Sequence, residues 1–204
     1  ITSPELAALR ESEEREAAGR LGVSEIVFLR LGDGELMPDV SFREKIVRQI
    51  RTFRPDIVIT HDPFRPYALH PDHRAVGITT VDAVYPTARD PLYFPDHLAA
   101  GLEPFKVAEL WLFGAEYPDR YIDISDTLAD KLHALRAHAS QIGDGEGLEE
   151  RVREPNEVIV RRRRAFLKEI VDYEGRDKYH GAHESHGFAC FGGCSGFHQV
   201  IPVI

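Results

Sequence analysis

The sequence predicts an α/β protein, Rossmann-like, with a mostly parallel sheet and helices on both faces. Two observations predict it. Apolar, β-rich runs occupy residues 24–31, 56–61, 109–114 and 121–125, and between them lie segments whose apolar residues recur at helical spacing. A third observation places the chemistry: His61 ends the 56–61 run, and Asp62, His70, Asp72 and His73 follow close behind it. In open α/β sheets, ligands bind beyond the carboxyl ends of the strands.

The elements follow in order. Ser3, Pro4 and Glu5 make a good helix start, and Leu6, Leu9, Ala17 and Leu21 give it an apolar stripe through Arg20. Ser24 to Leu31 reads as a strand ending in the turn Gly32-Asp33-Gly34. Ser41 to Phe53 is helical by its spacing of Ile46, Val47, Ile50 and Phe53. Asp56 to His61 is the buried strand, and His73 to Tyr85 a helix with Val76, Ile78, Val81 and Val84 on its core face. Residues 86–106 are Pro-rich and read as a surface loop. Glu109 to Gly114, where Trp111 is expected to be core or half-buried, and Tyr121 to Ser125 are further strands. Ser125 or Asp126 caps a helix to about Ser140, and a Gly- and acid-rich loop leads to a last helix, Asn156 to Tyr173. Arg161 to Arg164 would form a solvated face of that helix.

Whole-chain quantities bound the function. At 204 residues the chain suits one domain, 1–204. A net charge of −9 argues against general affinity for nucleic acid or an anionic membrane. No run of apolar residues is long enough to span a bilayer. Two cysteines near the end make no disulfide framework, so the expected location is cytoplasmic.

The His-Pro-Asp-His cluster carries the chemistry. His73 opens a helix at the carboxyl edge of the sheet and could ligate a metal, for which zinc takes imidazole and carboxylate. His70 would lie near substrate and could donate to a developing oxyanion. Asp72 could orient an imidazole. The plainer reading is a polar turn with a capping Asp.

The segment His61-Asp62-Pro63 followed by His70-Pro71-Asp72-His73-Arg74-Ala75-Val76-Gly77 resembles the second signature of the zinc-dependent PIG-L/LmbE-like N-acetylglucosaminyl deacetylases. Glu5 to Arg10 with Leu21-Gly22-Val23, then Val27-Phe28-Leu29 with Asp33 to Leu36, are similar to further pieces in the same order. So are Ile122 to Ser125 and His138-Ala139-Ser140-Gln141, and the resemblance extends to about residue 142. It implies an LmbE-like fold and removal of an acetyl group from an N-acetylated sugar by a Zn2+-dependent (or other divalent-metal) hydrolase. It assigns His73 as a zinc ligand and His70 as the imidazole that stabilises the oxyanion or protonates the leaving amine. Asp72 would support the charge on His70, while Arg10, Asp33 and Tyr67 would contact substrate. The expected partner is a small N-acetylated sugar, with neither nucleic acid nor membrane, and the resemblance is compatible with a homo-oligomer.

Two departures stand out. The family's first signature, an Ala-His-Pro-Asp-Asp-Glu-like run that brings two zinc ligands and the catalytic base, is absent from these residues. The expectation is therefore a chain lacking an N-terminal βαβ unit of roughly 30 residues, with a central sheet edge laid open. The tail, about 180–204, is instead rich in His, Cys and Gly, and reads either as a flexible terminus or as a separate metal site using His183, His186, Cys190 and Cys194. Three functions stay open: a deacetylase, a non-hydrolytic metal-binding protein working through the tail, and a catalytically dead scaffold of the same fold.

Overall fold

A computed structural model of the chain describes residues 3–67, 69–153, 157–162, 188–193 and 199–203. Helix α1 (Ser3–Arg20) carries Glu5 in its first turn and Arg20 in its last, each matched to the helix dipole. Strand β1 (Glu25–Phe28) leads through a loop to α2 (Val40–Phe53), and β2 (Ile57–His61) leads to α3 (Pro71–Asp82). Then come α4 (Pro95–Ala99), β3 (Glu109–Phe113), β4 (Arg120–Asp123), α5 (Leu128–Leu135), α6 (Ala139–Ile142) and α7 (Leu148–Arg153). Strands β5 (Glu157–Arg162), β6 (Phe188–Gly193) and β7 (Gln199–Val203) complete the described chain.

The seven strands form one sheet in the order β1-β7-β6-β2-β3-β5-β4. β2 runs parallel to both β3 and β6. The antiparallel pairs are β1 with β7, β6 with β7, β3 with β5 and β4 with β5. Only β5 and β7 therefore run against the common direction. The parallel centre is the expected α/β arrangement, and it brings the carboxyl ends of β2 and β3 together, with His61 opposite Phe113.

The core lies between α2, α3 and the sheet. Asp39 caps α2 by accepting the Phe42 N–H (2.8 Å), and Phe42, Ile46, Val47 and Ile50 recur at helical spacing on the buried face. They pack with Val58 of β2, Ala75 and Val76 of α3, and Leu110 and Leu112 of β3. Burying each of the larger side chains among them (Val, Leu, Ile and Phe) contributes about 1.5–3 kcal/mol. Arg51 crosses this core at 2% exposure and donates to the carbonyls of Thr87, Ala88 and Asp90. It thereby fixes the turn after α3, where the chain kinks at Tyr85 before the cis bond to Pro86.

Several expectations need correction. Glu157–Arg162 is a strand between β3 and β4, not the start of a helix, so Arg161 and Arg162 sit in the sheet; Arg163 and Arg164 lie outside the described residues. The tail is not simply loose, since residues 188–193 and 199–203 are strands inside the sheet. The expected open edge is not found at β2, which is paired on one side by β3 and on the other by β6. The single helix expected from Ser125 to Ser140 is a turn, α5 and then α6. Ser125 does not cap it: its N–H and hydroxyl donate to Asp123 instead. The break before α6 has a cause in α1, where buried Glu13 accepts the N–H (2.6 Å) and hydroxyl (2.7 Å) of Ser140. Trp111 is half-buried, as expected, with its indole N–H on Glu109 (2.7 Å).

The 86–106 segment is more than surface loop. His97, at 1% exposure, meets Glu44 of α2 through Nε2 at 2.6 Å, and Arg48 donates to the same carboxylate. Partial burial pushes the Glu44 pKa up, but hydrogen bonds from His97 and Arg48 outweigh it and hold the group below its ordinary value of 4.5. A depressed carboxylate pKa adds stability that is complete above the unfolded value and is lost as pH falls through the folded one. Melting temperatures of the protein and of Glu44→Gln should thus differ by a constant gap above pH 4.5, and the gap should close below it. A gap that widens on acidification would contradict this account.

Candidate active site

The chain leaves β2 through a tight turn. The Asp62 N–H donates to the Phe113 carbonyl (2.9 Å), extending the strand pairing by one residue. Buried Asp62 then accepts the Phe64 N–H (2.9 Å), which bends the chain off the sheet. α3 returns across the end of the strand, with Gly77 at the closest approach. A Cβ there would stand 2.5 Å from the His61 carbonyl oxygen and 3.0 Å from Cβ of Pro63. Both neighbours are held in place, so only glycine lets α3 lie this close to β2.

His70 is the N-cap of α3, and its Nδ1 accepts the Asp72 N–H at 3.2 Å. That bond selects the neutral tautomer whose ring proton sits on Nε2. The His70 ring lies 5.3 Å from that of His73. His73 in turn stacks on His61, with centroids 3.9 Å apart and planes 9° from parallel. His61 tilts against Phe113 at 4.3 Å. Phe113, His61, His73 and His70 thus form a continuous series of rings from the ends of β3 and β2 to the start of α3.

Asp72, at 5% exposure, turns its carboxylate away to another task. Oδ2 accepts the N–H of Gly34 (2.6 Å) and Oδ1 that of Leu36 (3.2 Å), in the loop between β1 and α2. Gly34 has φ +78°, a conformation natural to glycine. The clamp brings Asp33 beside the start of α3, and Asp33 is exposed. Tyr67, in the loop before His70, is 68% exposed. Arg10 lies on α1, half-buried, with Nε and Nη1 buried and lacking hydrogen-bond partners among the described residues. Of the six residues singled out by sequence, His70, Asp72 and His73 are joined directly and Asp33 is tethered to them. His61 enters the sequence reading only as part of the motif. Its signal is its place as the last residue of a buried strand, but its partner twelve residues later on a helix is a tertiary fact.

Among the described residues, no group of three or more His, Cys, Asp or Glu side chains is arranged to hold a metal ion. The stacked pair shows why the histidines do not share one. A ligating nitrogen directs its lone pair in the plane of its ring, and two nearly parallel planes 3.9 Å apart do not meet at an ion. Catalytic zinc takes three protein ligands, and the described residues bring fewer than that to one point, so they do not by themselves fit a complete site. In the tail, Cys190 lies in β6 opposite Ile59, while His183, His186 and Cys194 fall outside the described residues. Among the described residues, no helix is long and apolar enough to cross a membrane.

Comparison with known proteins is consistent across three levels. The family described as PIG-L, GlcNAc-PI de-N-acetylase, matches residues 2–84. The chain is 40% identical over 141 residues to the diacetylchitobiose deacetylase of Thermococcus kodakarensis, covering 69% of this chain and 52% of that protein. It is 28% identical over 146 residues to a probable N-acetyl-alpha-D-glucosaminyl L-malate deacetylase 2 of Bacillus anthracis, covering 69% of this chain and 59% of the relative. It thus spans between half and three fifths of the length of these relatives. Among solved structures, it matches the N,N'-diacetylchitobiose deacetylase of Pyrococcus horikoshii, complexed with its inhibitor MPG, with a TM-score of 0.67 and 32% identity, covering 84% of this chain and 59% of that one. A conserved protein of Thermus thermophilus matches with a TM-score of 0.58 and 23% identity, over 97% of this chain and 72% of that one, which bears on the fold alone.

Proposed function

The chain belongs to the PIG-L/LmbE-like deacetylase family, and from that premise we propose that it hydrolyses the acetamide of an N-acetylglucosamine-type sugar, releasing acetate and a free amine. The observation that carries the reading is the His70-Pro71-Asp72-His73 turn at the carboxyl edge of β2, with His70 held as a helix cap and the rings of His70 and His73 side by side. The relatives named for diacetylchitobiose and for an N-acetylglucosaminyl malate support the substrate class.

The residues divide the work as follows. His70, accepting at Nδ1, presents Nε2–H as a donor to the carbonyl oxygen as it becomes an oxyanion. The positive end of α3 favours the same developing charge. This tautomer favours oxyanion stabilisation over proton delivery to the leaving amine, because the second ring nitrogen is already occupied as an acceptor. Asp72 fixes the β1–α2 loop through its side chain and His70 through its backbone N–H. Asp33 and Tyr67 would meet sugar hydroxyls and a sugar face, and the buried nitrogens of Arg10 suit a hydroxyl or carboxylate of the substrate. A divalent metal such as zinc would supply an activated water and a Lewis acid. His73 is the ligand this chain would contribute, alongside donors outside the described residues.

The test is release of free amine from N,N'-diacetylchitobiose and from N-acetylglucosaminyl malate by the full chain, with and without added Zn2+. A folded protein that releases amine from neither substrate would remove the reading.

A further inference from the structure

We infer that His61 is a positioning residue for His73: it fixes the plane of the His73 imidazole by stacking. The inference rests on the proposed use of His73 as a ligand, but the geometry that carries it does not depend on a metal.

His73 sits in the first turn of α3, and the terminal torsion of a histidine is broad and roughly two-fold. Its backbone position alone therefore leaves the ring free to turn. His61 removes that freedom. It is the last residue of β2, registered with Phe113 of β3 and directly following Thr60, which is paired on both sides, so its own backbone is anchored by the sheet. Its ring is braced from behind by Phe113 at 4.3 Å and lies flat on His73 at 3.9 Å and 9°. Its carbonyl oxygen sits against Gly77, the point where α3 crosses the strand. Strand and helix are thus locked by backbone approach, and the two rings by their faces.

The experiment compares His61→Phe, which keeps an aromatic face but no nitrogen, with His61→Leu, which keeps bulk but no face. His61→Met is a second non-aromatic variant should the leucine protein fail to fold, and melting curves check each. In the metal-free full chain, the ring protons of His73 are identified in NMR spectra by their loss in His73→Gln. They should be displaced upfield by ring current in the wild type and in His61→Phe, and should relax toward free-imidazole positions in His61→Leu. Loss of the upfield displacement in both variants alike would mean that the aromatic face of residue 61 does not hold the His73 ring and would overturn the inference. So would unchanged His73 resonances in His61→Leu. If the wild type shows no deacetylation, the ring-current comparison still decides the role of His61 while the functional proposal falls.

Discussion

Replacing His70 with alanine should lower kcat for deacetylation by about 10²- to 10³-fold, the cost of removing one donor aimed at an oxyanion. KM should change little, since the interaction strengthens only as charge develops in the transition state. The same change also removes the cap that accepts the Asp72 N–H, with an expected stability loss of about 1 kcal/mol. His70→Asn separates the two effects. Asparagine caps helices well, but its shorter side chain puts no donor where Nε2–H stood. It should restore the melting temperature and leave kcat low. Recovery of kcat along with stability in the asparagine variant would show that His70 matters as a cap and not as a donor.

What the sequence discloses and what it hides follow from distance along the chain. Helix α2 is legible because Phe42, Ile46, Val47 and Ile50 repeat at a local spacing, and β2 because an unbroken β-branched run needs no partner to be recognised. The motif at 61–73 is legible because its chemistry is contiguous. Strand β5 is not. Glu157–Arg162 has the β-branched content of a strand but is followed by a basic run at helix-compatible spacing, and only its pairing with β3 and β4 decides between the two. Of the two tail strands, β6 is hidden by Gly192 and Gly193, which weaken strand propensity even where a neighbouring strand supplies the pairing, and β7 by Pro202, which argues against a strand inside a sheet. The broken α5–α6 segment depends on Glu13, 127 residues upstream. The stacking of His61 on His73 and the contact of His97 with Glu44 are likewise tertiary, and no local pattern announces them.

Asp72 sharpens the point, because its residue type suggests one role and its surroundings another. A carboxylate two residues after a catalytic imidazole invites the reading that it supports charge on the ring. Its oxygens are instead taken by the N–H groups of Gly34 and Leu36, and only its backbone N–H reaches His70. Asparagine at this position offers one acceptor and two N–H donors to a place where two backbone donors converge. One of those donors must then face another donor. The expected loss for Asp72→Asn is about 2–4 kcal/mol, the sum of a charge-assisted bond weakened and a buried N–H left unmade. Below the melting transition, kcat should stay within an order of magnitude of the wild type, because the N–H that caps His70 belongs to the backbone and survives the substitution. KM should rise, because Asp33 hangs on the loosened loop. Chemical denaturation and steady-state kinetics on the same preparation read both quantities. A fall in kcat comparable to that of His70→Ala, with stability retained, would return Asp72 to the role of a charged partner for the imidazole. The measurement thus separates a carboxylate that tunes a ring from one that holds a loop.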